Sequence, residues 1–203
     1  MARCGSDKGP NPTRGDWHNY TGVYHELFGD RSGEALNVFE LGLGTNNVNV
    51  PSNMGPSGVP GASIRGWKEY FGQSHIFGAD IDRAILFTED RIHTVYCDQT
   101  NPRVIRDMWA TLPDMDIIIE DGLHTFEANV TFFENSIHKL KEGGLYVIED
   151  VVNGNIVRFN KLFEVWRTMF KGLTFEIRML PHPVNNHDNN LIIIRRLPKT
   201  PRS

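Results

Sequence analysis

Cysteine is scarce in this 203-residue chain: only Cys4 and Cys97 occur. Two thiols make no disulfide framework, so a reducing, cytoplasmic setting is expected. Long apolar runs are missing too. None approaches the ~18 residues of a membrane span, and the opening "MARCGSDKGPNPTRGD" has no apolar core of a secretory signal. Positive charge is in deficit, with 21 Lys+Arg against 25 Asp+Glu and a net charge of −4. That balance argues against a protein that coats nucleic acid, and the basic end "RRLPKTPRS" reads as a solvated tail. No Walker-type phosphate loop occurs. Asn47 stands where a dinucleotide fingerprint would carry its third glycine.

What is present is alternation. "LNVFELG" (36–42), "SHIFGAD" (74–80), "IHTVYC" (92–97), "MDIIIED" (115–121) and "LYVIED" (145–150) read as buried strands. Helical stretches fall between them at 64–70, 102–110, 126–140 and 159–170, the third ending before Gly143–Gly144. "TFEIRML" and "NLIIIRR" follow with no helix between, which predicts an antiparallel hairpin at a sheet edge, its 181–190 loop over the crevice. The expected fold is α/β: a Rossmann-like, seven-stranded, mostly parallel sheet with helices on both faces and a C-terminal antiparallel hairpin. A single domain over 1–203 is expected. Residues 45–62, "TNNVNVPSNMGPSGVPGA", form a long loop after the first strand and are predicted to be a lid or cofactor wall.

Such sheets bind ligands beyond the carboxyl ends of their strands. Acids stand at successive strand ends: Glu40, Asp80, Asp98, then Glu120 and Asp121. Gly42 and Gly44 would let the backbone approach a ligand closely. The set suits an adenosine-containing ligand, with Asp80 on the ribose hydroxyls, Asp98 on the adenine amino group and Glu40 near a cationic amino group. Asp82 is the alternative to Asp80.

"DIIIEDGLHTF" (116–126) adds a reacting half. Asp121 and Asp150 end adjacent parallel strands, about 4.8 Å apart, and can converge on a hard cation such as Mg²⁺ or Ca²⁺. Glu149 is a weaker ligand candidate, because alternation points it away from Asp150 unless the strand has ended. His124 would overhang the same crevice, where an imidazole can take a proton from a hydroxyl. Tyr20 and Tyr24, four apart, would share a helical face.

"ELGLGT", "GADID", "CDQT" and "IIIEDG" together resemble the motifs of class I S-adenosylmethionine-dependent methyltransferases. "GSDKG", "HNYTGVYHELF", "GASIRGWKEYF", "DGLH" and "VIED" resemble, more narrowly, the metal-dependent sugar O-methyltransferases that tailor macrolide antibiotics. The likeness covers roughly residues 5–152. It implies S-adenosylmethionine (SAM) held by Glu40, Gly42, Gly44, Thr45, Asp80, Asp98, Gln99 and Tyr20, with residues 1–30 covering the cofactor. It also implies Mg²⁺ or another hard divalent cation on Asp121, Asp150 and Glu149, and His124 as general base beside Asp121. The expected reaction is O-methyl transfer to a sugar, glycan or natural-product hydroxyl. The expected partner is thus a small-molecule or glycan acceptor, with neither nucleic acid nor membrane, and homo-oligomerisation is left open. An NAD(P)-type oxidoreductase and a non-catalytic SAM- or glycan-binding module are the alternatives.

Overall fold

A computed structural model describes residues 1–10 and 17–199. Residues 11–16 of the expected cofactor cover and 200–203 of the basic tail lie outside the described residues.

The isoleucine run explains how the layers form. Side chains alternate across a strand. In β5 (Met115–Glu120), Ile117 and Ile119 therefore join one apolar cluster while Ile118 joins another on the opposite face. Val38 and Phe39 of β1 (Asn37–Leu41) divide in the same way. One face is covered by α1 (Tyr20–Phe28) and α2 (Ala62–Tyr70), through Tyr24, Phe28, Ile64 and Trp67. The other is covered by α3 (Pro102–Thr111), α4 (Phe126–Ser136) and α5 (Ile156–Met169), through Trp109, Phe132, Phe133 and Trp166.

The remaining strands are β2 (His75–Asp80), β3 (Thr88–Glu89), β4 (Ile92–Tyr96), β6 (Leu140–Ile148), β7 (Leu173–Met179) and β8 (Asn190–Arg196). Their order is β3-β4-β2-β1-β5-β6-β8-β7. The strands β4, β2, β1, β5 and β6 run parallel, and β8 pairs antiparallel with both β6 and β7. The sheet thus has eight strands where seven are expected. The extra one, β3, is two residues long and pairs antiparallel with β4, too short for any periodicity to show.

A second correction concerns α4. It ends at Ser136, and a short 3-10 turn, Ile137–Lys139, leads into β6 at Leu140. The glycine pair therefore lies within the strand and does not cap the helix. A register shift between Met115 and Ile117 of β5 accommodates this early start. The order in which strands are added reverses about β1: β2 and β4 lie to one side, β5 and β6 to the other. That makes the β1/β5 junction the switch point where such sheets open a crevice. No helix among the described residues is long and apolar enough to cross a membrane.

Candidate active site

A cavity of about 410 Å³ opens at the switch point. Its walls come from the ends of five parallel strands: Leu41–Thr45, Asp80, Cys97–Thr100, Asp121–His124 and Asp150. Loop residues 50–54 and Val59 form a further wall, with Ser6, Asp7, Trp17 and His18 from the N-terminal segment. The 181–190 loop is absent from the wall. It packs instead on the N-terminal segment, with Asn189 Oδ1 3.1 Å from His18 Nδ1.

On the cofactor side, Gly42 is required by space. Its φ is +93°, and a Cβ there would lie 1.8 Å from the Asp121 carbonyl oxygen. Asp80 is 7% exposed and accepts from the backbone N–H of Leu43 (2.7 Å) and Asp82 (2.8 Å). Burial raises its pKa against those two bonds. Asp80 lines the cavity and Asp82 does not; Asp82 instead takes the Thr45 hydroxyl at 2.5 Å. Asp98 faces the cavity and accepts from Thr100 N–H and hydroxyl at 2.9 and 2.7 Å. Gln99 accepts from Leu123 N–H (2.8 Å) and donates to Glu120 (2.5 Å), which fixes the loop carrying His124. Cys97 also borders the cavity, but burial pushes its thiol up to about 12. Thiol-specific reagents at pH 8 are expected to leave Cys97 unmodified in the folded protein and to reach it on unfolding; rapid native labelling of Cys97 would contradict this.

The reacting side gathers Asp121, His124 and Asp150. One ligand atom from each lies within 4.8 Å of the others. His124 Nε2 is 3.9 Å from Asp121 Oδ1 and 3.8 Å from Asp150 Oδ2. Two of the three have left-handed backbones: φ is +60° at His124 and +53° at Asp150. Such geometry costs a side-chain-bearing residue roughly 1–2 kcal/mol, and strain of this kind concentrates at functional sites. The kink at Asp150 turns its carboxylate out of the strand's alternation and toward His124. Thr125 caps α4 by accepting from Ala128 N–H and so anchors the turn just after His124. Burial opposes charge on His124, but the nearby Asp150 and Asp121 carboxylates more than offset it and raise its pKa. Burial, with Asp121 close by, raises that of Asp150. The donor set, two carboxylates beside an imidazole, fits a divalent cation.

Three expected site residues lie elsewhere. Glu40 is fully buried and accepts from Ser63 at 2.5 Å and from Trp67 Nε1. It stands behind the cavity wall, because position 40 shares the face of Val38. Tyr20 is likewise fully buried, and its hydroxyl reaches Asp150, not the cofactor side. Glu149 stays apart from the three-residue cluster. Its oxygens are taken by Tyr24 and Lys8, because alternation turns it to the α1 face.

Lys8 is the residue that the sequence concealed. It is 1% exposed, with Nζ 2.5 Å from Asp121 Oδ2, 2.6 Å from Glu149 Oε2 and 3.4 Å from Glu40 Oε1. Burial disfavours its charge, but the three carboxylates more than offset this and raise its pKa well above the ordinary value. The available signal was the "GSDKG" segment, which points to a cofactor cover and gives no hint that its lysine is buried.

No family model matches the chain. Curated relatives do. Over 151 residues it is 36% identical to 8-demethyl-8-alpha-L-rhamnosyl tetracenomycin-C 2'-O-methyltransferase of Streptomyces olivaceus, covering 73% of this chain and 36% of that protein. Over 160 residues it is 31% identical to mycinamicin VI 2''-O-methyltransferase of Micromonospora griseorubida, covering 74% and 38%. The chain resembles sugar O-methyltransferases. Each match spans little more than a third of the curated relative's length. The fold agrees: the MycE methyltransferase of the mycinamycin pathway, solved with Mg and SAH, superposes with a TM-score of 0.71 at 23% identity. That superposition covers 93% of this chain and 52% of MycE.

Proposed function

We propose that the chain is a SAM-dependent O-methyltransferase, assisted by a divalent cation such as Mg²⁺, acting on a hydroxyl of a sugar, glycan or natural product. The observation that carries this is the convergence of Asp121, His124 and Asp150 on the cavity that Gly42, Asp80 and Asp98 also line. The similarity to sugar O-methyltransferases supports the acceptor class, and the two free cysteines accord with a cytoplasmic setting.

When bound, the sulfonium cofactor supplies the methyl group and the cation acidifies and orients the acceptor hydroxyl. The chain supplies placement and proton transfer. Gly42, Gly44, Thr45, Asp80, Asp98 and Gln99 hold the cofactor side, and the described part of the N-terminal segment and residues 45–62 cover it within a single domain. Asp121 and Asp150 are the cation ligands. Glu149, the third candidate, would have to exchange a Lys8 or Tyr24 contact to join them. His124 takes the hydroxyl proton at Nε2.

Calorimetry should show SAH binding, and Mn²⁺ should bind in a manner reversed by EDTA. Chelation is expected to abolish methyl transfer to a sugar panel while leaving SAH bound. A chain that binds no SAH sinks the proposal.

A further inference from the structure

The geometry points to Tyr20 as a positioning residue of the cation site: its hydroxyl selects which oxygen of Asp150 faces the cation. The inference rests on the cation reading above. A carboxylate turns about its Cβ–Cγ bond unless one oxygen is held, and two neighbouring carboxylates repel each other. Each carboxylate here has one oxygen held from outside the cluster. Asp121 gives Oδ2 to Lys8 at 2.5 Å, which leaves Oδ1 toward His124. Asp150 gives Oδ1 to the Tyr20 hydroxyl at 2.8 Å, which leaves Oδ2 toward His124. The two inward oxygens are those that approach His124 Nε2 at 3.9 and 3.8 Å.

Tyr20 is itself fixed. Its ring stacks on His18, with centroids 4.7 Å apart, and its hydroxyl lies 3.3 Å from the Asp188 carbonyl oxygen. It is fully buried and stands outside the cavity wall, so it reaches a ligand only through Asp150. The arrangement matters because Asp150 carries a left-handed backbone and has left the sheet ladder that would otherwise orient it. Outer-sphere partners of this kind fix metal-ligand orientation, and losing one typically weakens metal affinity 10- to 100-fold.

Tyr20→Phe tests this without changing any charge. Mn²⁺ binding, followed by the electron paramagnetic resonance signal of the free ion, should weaken at least about tenfold. SAH affinity by calorimetry and the melting temperature of the metal-free protein should stay close to wild type. If Tyr20 binds the cofactor instead, SAH affinity falls and Mn²⁺ affinity does not, and the inference is overturned. Unchanged Mn²⁺ affinity in a folded Tyr20→Phe protein overturns it as well, while leaving the cation reading intact. A wild-type protein that binds SAH but no Mn²⁺ overturns the cation reading and this inference together.

Discussion

Replacing Lys8 with methionine should destabilise the protein by about 3–5 kcal/mol, the loss seen when one partner of a buried ion pair is removed. Methionine nearly fills the space of the lysine stem but carries no charge. Glu40 and Glu149 are both buried, 0% and 1% exposed, and burial already raises the pKa of each, with Lys8 opposing the rise. Without the ammonium they must take up protons, draw in water or part. Urea unfolding monitored by circular dichroism reads the effect. Adding Glu149→Gln to Lys8→Met should recover part of the loss, since the two residues touch and their effects are coupled. A single variant that unfolds at the wild-type midpoint would show that Lys8 is no counter-ion for this cluster.

His124→Ala should lower turnover by 10²–10⁴-fold, the usual contribution of a positioned general base. SAH affinity should hold, because the ring lies on the reacting side. The substitution also removes a partly buried group whose positive charge is favoured by Asp150 and Asp121. Residual activity that rises as pH approaches the acceptor hydroxyl's own range would mark loss of the base and not of the fold. A variant with wild-type turnover would remove His124 from the reaction.

The parallel core of the sheet was legible because its strands are apolar runs bounded by acids. "DIIIED" alone announces a strand buried on both faces and a polar exit. The Asp121–His124–Asp150 cluster was legible for the same reason, since adjacent strand ends must meet. What escaped was facing and distance. Glu40 and Glu149 follow the alternation of Val38 and Val147 and so turn to the α1 face, away from the cavity. Tyr20 was expected beside the cofactor, and only the tertiary structure puts its hydroxyl on Asp150 instead. Nothing local marks a lysine amid glycine and proline as buried, because its three partners come from three different strand ends.

The anchoring contacts of the N-terminal segment carry a consequence for how the molecule comes together. Lys8 meets Asp121 across 113 residues, Tyr20 meets Asp150 across 130, and His18 meets Asn189 across 171. Contacts so far apart along the chain close late, after the local order beneath them exists. During synthesis Lys8 must wait for the exit of β5, Tyr20 for the exit of β6 and His18 for the loop before β8. The outward oxygens of Asp121 and Asp150 are thus fixed by a segment that can dock only after β5 and β6 have formed beneath it.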